Sequence, residues 1–585
     1  MPPLRNLSLL LLVFSPYVYA AKCPLAKPPT IKDTKSNITY HGVISKQGDI
    51  EHFYDIPYGQ ARRFSNPEPY RFAQGIKQYN ATKPGPICPQ PETPLFGFME
   101  PTPIKRQSED CLRLRIARPA RKEKEKLPVM VFIHGGGNIN GHIYDRTYNP
   151  EGLIRQSVAN GKPVMYVAMN YRLSIFGFPV TDVLRRTNSL NLALKDQRLA
   201  LEWVKEHIAY FGGDPERVTL FGQNTGALSV THQIIAYGGT KPVPFQAAIM
   251  ESSALEPTSG SEITAEAFSG VAQLAGCSHR SPEAVECLRA LSFPRLMNLT
   301  IQQHDSTASQ NDGDTYLPTA QGPGAFVPDI GSELVRQGKF AKMPIVIGWT
   351  EDDASMFVHP SIKTPEDTKD FLYTDLLGGV RNDTLEELLS LYPISEFSAR
   401  GNEELSAEFY RASQVFRDIF LVCPPFYFGW AMAQKYRASN SSSAPPVYYY
   451  HHNQTVFGAY LASEYPDYGA GLGVVYTSEL PYVFGDLENW NATKQVHPTA
   501  VDLELARRQS RAWSGFASGV RPWERAYSKE TGKGMMNAKL YVFGGPDGGI
   551  SALDGEEAKK AVRRQRLRER CEFSNRKDVI EQLKY

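Results

Sequence analysis

The chain has 585 residues, 42% of them hydrophobic and 22% charged, an ordinary globular composition that can bury a large core. A formal net charge of +2 excludes strong overall steering toward nucleic acid. No zinc-type Cys/His spacing and no Walker-type phosphate loop occurs, so neither a metal nor another cofactor is expected.

Residues 1–20 read as a cleaved export signal. Arg5 supplies the basic start, residues 7–14 are mostly apolar, and Val18-Tyr19-Ala20 offers a small-residue cleavage site. The apolar run is too short to span a bilayer, and neither a later long apolar run nor a C-terminal anchor tail follows. A soluble, secreted protein without a membrane anchor is expected. Beyond the signal segment, sequons begin at Asn37, Asn80, Asn298, Asn382, Asn440, Asn453 and Asn491, which in an exported chain suggests surface glycosylation. Cys88 with Cys111, and Cys277 with Cys287, are spaced to close local loops in an oxidising compartment. Cys23, Cys423 and Cys571 remain, so at least one thiol is free unless it pairs between chains.

Along the chain, near-continuous β-branched and apolar runs fall at 128–133, 163–169, 217–221, 343–347 and 447–450. Such runs fit strands buried on both faces of a mostly parallel sheet. Residues 194–210 read as a helix carrying Leu199, Trp203 and Ile208, stopped at Phe211-Gly212-Gly213. The alternation argues an α/β architecture. Residues 263–334 and 364–434 are mainly helical in pattern and read as cap or lid insertions over the strand ends. The charged run at 121–126 reads as a hairpin-like loop and 440–446 as a Ser/Pro loop. The basic run at 559–570 reads as a solvated terminal helix. His451 and His452, in a tyrosine-rich strand, read as packing residues.

Two motifs carry chemistry. Gly222-Gln223-Asn224-Thr225-Gly226 lies between an apolar strand-like run and a helical run. Strand, G-x-S-x-G turn and helix make the nucleophile elbow of α/β-hydrolases. Here Asn224 stands where the serine belongs, and an amide offers no hydroxyl for a base to activate. His134-Gly135-Gly136-Gly137 follows the strand ending at Ile133. Glycines there let backbone N–H groups face a ligand without a Cβ in the way, as in an oxyanion hole.

With these motifs come Ser108-Glu109-Asp110-Cys111-Leu112, Asn170-Tyr171-Arg172-Leu173, Asp196-Gln197-Arg198-Leu199-Ala200-Leu201-Glu202-Trp203-Val204, Phe211-Gly212-Gly213-Asp214-Pro215 and Thr477-Ser478-Glu479-Leu480-Pro481-Tyr482-Val483-Phe484-Gly485. On these stretches the chain resembles the type-B carboxylesterase/lipase family, the cholinesterase-like α/β-hydrolases, and within it secreted fungal esterases and lipases. The resemblance spans roughly residues 30–575. It implies one large α/β-hydrolase domain over residues 21–585: a mostly parallel central sheet with helical cap insertions. It also implies that Cys88 pairs with Cys111 and Cys277 with Cys287. The family serine falls at Asn224. The family acid falls at Asp353, with Asp352 as the neighbouring register. The family histidine falls at Tyr476. The implied oxyanion donors are the backbone N–H groups of Gly136, Gly137 and Thr225.

A phenol with a pKa near 10 is a poor base at neutral pH, where an imidazole exchanges protons readily. Without serine and histidine, ordinary acyl transfer is expected to be lost, although a hole and a binding site still leave about 10³ to 10⁴ over water in a triad enzyme. Thr225 and Ser229 are weak substitutes as nucleophile. The expected partner is a small ester or carbonyl compound, and the expected use is non-hydrolytic: isomerisation, elimination or cyclisation of a polarised carbonyl, with the Tyr476 hydroxyl held by Asp353 if it reaches. The alternatives are a non-catalytic pseudo-esterase that binds a ligand or a protein, residual ester hydrolysis, and decay without a new function.

Overall fold

The computed structural model describes residues 27–585 apart from 92–101, 103–105, 121–124, 253–254, 256–259, 279–281, 308–314, 377–379, 401–403, 440–444, 491–493 and 529–533. The signal segment, Cys23, Asn440, Asn491 and most of the charged run at 121–126 lie outside the described residues.

An 11-stranded sheet organises the chain. Its strands in chain order are β1 (Val43–Ile44), β2 (Ile50–Pro57), β3 (Arg113–Pro119), β4 (Leu127–Ile133), β5 (Met165–Met169), β6 (Gly213–Gln223), β7 (Ala247–Glu251), β8 (Ile345–Thr350), β9 (Val447–His452), β10 (Lys539–Phe543) and β11 (Gly549–Ala552). Across the sheet they run β11-β10-β9-β8-β7-β6-β4-β5-β3-β2-β1. From β5 to β10 every pairing is parallel, and both flanks are antiparallel. β3 and β4 are not neighbours, because β5 lies between them. The strands that flank the charged run therefore do not pair with each other.

The apolar runs are continuous for a simple reason. Side chains alternate between the two faces of a strand, and both faces are covered here. On β4, Val129, Val131 and Ile133 enter one core, while Met130 and Phe132 enter the other. Helix α1 (Leu192–His207) packs on the sheet, and Gly212, at φ 86°, ends the 3-10 turn that follows it. Helix α2 (Thr225–Ile235) is buried along its whole length. Between β7 and β8 come α3 (Gly260–Leu274), α4 (Glu283–Ala290) and α5 (Phe293–Thr307); between β8 and β9 come α6 (Ala407–Arg417) and α7 (Cys423–Ala438). Helix α8 (Ala500–Ala517) opens on a Thr499/Asp502 capping box.

Disulfides join Cys88 to Cys111, Cys277 to Cys287 and Cys423 to Cys571. The third closes a separation of 148 residues, a pairing that no local spacing reveals. It ties α7 to α9 (Leu567–Ser574). The basic run around it is not a solvated helix. Arg564 reaches Glu351, Arg570 is fully buried against Glu396, and Arg568 pairs with Asp554. Of the sequons, Asn37, Asn80, Asn298 and Asn382 are exposed, and Asn453 is half-buried.

Candidate active site

Four neighbouring strands end at one place. β4 runs into the glycine turn, β6 into Asn224, β7 into Ser252 and β8 into the turn holding Asp353. Gly222 on β6 lies in register with Ile133 on β4. Strand order reverses beside this point, since β6 sits on one side of β4 and β5 on the other. The crevice at such a reversal is where open α/β sheets bind ligands.

The elbow is sharp. Asn224 has φ 60° and ψ −139°, a conformation that costs of order 1–3 kcal/mol for a residue with a side chain. Two glycines make it possible. A Cβ on Gly226 would stand 2.1 Å from the Ile133 carbonyl oxygen, and one on Gly222 would stand 2.6 Å from the Gly226 carbonyl carbon. The strained strand-to-helix turn is thus built by close packing of main chain, and Asn224 stands at its tip.

The Asn224 side chain engages the expected donors. The N–H groups of Gly136 and Gly137 both donate to its Oδ1, at 2.8 and 3.1 Å. The Thr225 hydroxyl donates to the same oxygen at 3.1 Å and itself accepts from the Asn138 N–H at 3.3 Å. Two backbone N–H donors require the oxygen, not the nitrogen, of the amide at that position. The position where the oxygen of a substrate carbonyl would bind therefore holds a carbonyl oxygen of the protein itself.

The other end of the amide is also engaged. Asn224 Nδ2 donates to the Tyr476 hydroxyl at 2.7 Å, and that hydroxyl donates to the Ser252 carbonyl at 3.2 Å. A phenol has a single O–H donor, so its hydrogen goes to Ser252, not to Asp353. Asp353 is completely buried and accepts instead from the Thr350 N–H at 3.1 Å and the Thr350 hydroxyl at 2.8 Å. Burial pushes its carboxyl up to about 7, with the Thr350 hydrogen bonds opposing. The neighbouring carboxyl, Asp352, turns away and accepts from the Val474 N–H.

Sequence reasoning missed two further buried acids. Glu251, at the end of β7, accepts from the Trp513 indole at 2.5 Å, and burial pushes it up to about 8. Glu479 is raised well above the ordinary carboxyl range, first by burial and then by the charges of Glu251 and Asp353. Glu479 belongs to a motif legible in the chain, but nothing local places it beside Asp353. The substitutes considered for the nucleophile are also engaged: Ser229, inside α2, accepts from Gln197 at 3.0 Å, and Thr225 is held as above. His134 is buried, stacked 4.4 Å from Tyr171 and pushed down to about 4 by burial. His451 and His452 are fully buried in β9, one bound to Glu351 and the other to the Gln454 carbonyl.

This sheet, with its elbow after β6 and its glycine turn after β4, is an α/β-hydrolase fold. The crystal structure of Aspergillus niger EstA superposes with a TM-score of 0.72 at 24% identity, over 95% of this chain and 99% of that one. The carboxylesterase family matches residues 39–535, and the chain belongs to it. A secreted lipase of Arthroderma benhamiae is 38% identical, over 96% of this chain and 97% of its own. An inactive carboxylesterase-like protein of Byssochlamys spectabilis is 36% identical, over 94% of each.

Proposed function

We propose that this chain is an exported carboxylesterase-family protein that does not hydrolyse esters, and whose site binds a small ester or carbonyl compound without forming an acyl-enzyme. One observation carries the reading: the Asn224 carbonyl oxygen occupies the position facing the Gly136 and Gly137 N–H groups. In an esterase those donors stabilise the charge that develops on the substrate oxygen. Here a substrate carbonyl must first displace the amide, and no serine waits behind it. Asn224 and Tyr476 replace serine and histidine as a bonded pair, so the two changes fit each other. Similarity to a relative described as inactive and carboxylesterase-like supports the reading. For export, the support is the three disulfides, the secreted lipase relative and the signal-like start of the chain. No helix among the described residues is long and apolar enough to cross a membrane.

A second reading, non-hydrolytic carbonyl chemistry, is favoured by one group. Asp353, at about 7, holds a proton it can exchange near neutral pH. That reading requires the Asn224 side chain to swing out of the donor turn when substrate enters. Fluorophosphonate probes separate both readings from ordinary hydrolysis. The purified protein is expected to remain unlabelled and inactive on short aryl esters. Labelling that maps to a single serine would overturn the proposal. Incubation with candidate carbonyl metabolites, followed by mass and isomer analysis, divides the two: unchanged ligand supports binding, and a new isomer supports catalysis.

A further inference from the structure

A second cavity opens beside the turn that carries Asp353. It has a volume of about 90 Å³, is partly open to solvent, and Glu351, Asp352, Glu396, Arg400, Arg417 and Arg564 supply its charges. Neither Asn224, Tyr476 nor the glycine turn lines it.

Most of these charges already have partners. Glu351 is held by His451, Arg564 and Gln565. Glu396 is held by Arg566 and Arg570. Asp352 accepts from the Val474 N–H at 2.9 Å. Arg417 places Nε and Nη2 on Asp418 and Nη1 on the Glu351 carbonyl. Arg564 places Nε and Nη2 on Glu351.

Arg400 differs from the rest. Its backbone is pinned by two hydrogen bonds with Leu405, and its guanidinium lies 4.5 Å over the Tyr410 ring. The nearest carboxylate oxygen, on Asp352, is 3.9 Å away, too far for a hydrogen bond. Its side-chain donors make no hydrogen bond among the described residues. Arg564 likewise has no partner there for Nη1. A guanidinium held over an aromatic ring presents a planar fork of donors, the geometry that matches a carboxylate. Phe397 and Tyr410 add aromatic surface to the same wall.

We propose that this cavity binds a small organic carboxylate with a flat apolar body. The carboxylate sits on the Arg400 fork beside Arg564, and the body lies against Phe397. The site is coupled by geometry to the candidate active site. The Asp352 N–H donates to the Val474 carbonyl, and the Asp352 carboxylate accepts from the Val474 N–H, at 3.0 and 2.9 Å. Gly473, at φ +79°, fits this clamp because a Cβ there would stand 2.1 Å from the Asp352 Oδ2. Asp353 is the next residue on one side of the clamp, and Tyr476 lies two residues beyond it on the other.

Titration calorimetry of the purified full chain with sodium benzoate, and with benzamide as the uncharged isostere, tests the site. Benzoate is expected to bind and benzamide not. Arg400→Gln is expected to weaken benzoate about tenfold or more, the usual effect of losing a charge-assisted hydrogen-bond pair. Its side chain is half exposed and unbonded, so the variant should melt as the parent does without ligand. Absence of benzoate binding to the parent overturns the proposal. So does equal binding by Arg400→Gln, which would place the anion elsewhere, including in the Asn224 crevice.

Discussion

The two halves of the candidate site are held in different ways. On one side stand the Gly135–Gly137 turn and the elbow, held by main chain. On the other stand Tyr476, Asp353, Glu251 and Glu479, held by side chains. The first half is a sharp strand-to-helix turn with a strained φ of 60° at Asn224. The second half has a phenol, Tyr476, bonded to Asn224, and three mutually interacting buried carboxyls, Asp353, Glu251 and Glu479. Main-chain geometry persists because the parallel strands β4, β6, β7 and β8 fix where each turn begins, and displacing one turn would disturb the ladder beside it. A side chain at a strand end can change without moving that frame.

The sharpest way to break this comparison is to attack the frame. Gly226→Ala puts a methyl 2.1 Å from the Ile133 carbonyl. A loss of about 3 kcal/mol is expected, the upper range for overpacking against unyielding groups, read from the denaturant midpoint. A stability equal to that of the parent would show that the elbow is soft. Restoring the changed half is the next largest effect. Asn224→Ser with Tyr476→His and Thr225→Ala should raise hydrolysis of short aryl esters about 10²-fold, since the triad acts as a unit on top of an existing hole. No gain would mean that Asp353 no longer reaches the histidine position.

The buried acids sharpen the comparison through pH. Asp353, near 7, and Glu251, near 8, hold protons in the folded chain that they have released in the unfolded chain above about pH 4. The folded state therefore binds more protons, and stability must fall as pH rises. Their contribution is fully present below about pH 4 and is lost as pH rises through 7 and then 8. Melting temperature is expected to decline from pH 6 to pH 9, and Asp353→Asn should flatten the earlier part. A flat profile in the parent would count against neutral carboxyls in the cluster. Tyr476→Phe gives the smallest effect. It removes the acceptor of the Asn224 amide and the donor to the Ser252 carbonyl, for about 1 to 2 kcal/mol in thermal or denaturant unfolding. No change would show that the amide is held by the donor turn alone.

Much of this molecule was legible before any fold was known, though unevenly. The strands at 128–133 and 217–221 could be read because both faces are buried, so their apolar runs are unbroken. Ala247–Glu251 and Lys539–Phe543, ending in or flanked by charge, did not stand out in the same pattern although they join the same sheet. The basic run near the C-terminus carried the wrong expectation. Charge in sequence suggests solvent, but Arg564 and Arg570 find Glu351 and Glu396 far away along the chain.

By itself the sequence pointed to the class of fold, to the elbow and glycine turn, and to Asn224 and Tyr476 at the places the resemblance gives to serine and histidine. Each rests on residue identity within a few positions: a glycine where a Cβ would clash, an amide where a hydroxyl belongs. Tertiary structure decided the rest. Asn224 meets Tyr476 across 252 residues, Cys423 finds Cys571 across 148, and three carboxyls converge from three separate segments. Whether the donor turn stands open or closed depends on a rotation of one side chain among such distant partners. No local pattern records it, because the distances that set it exist only after the sheet has brought the strand ends together.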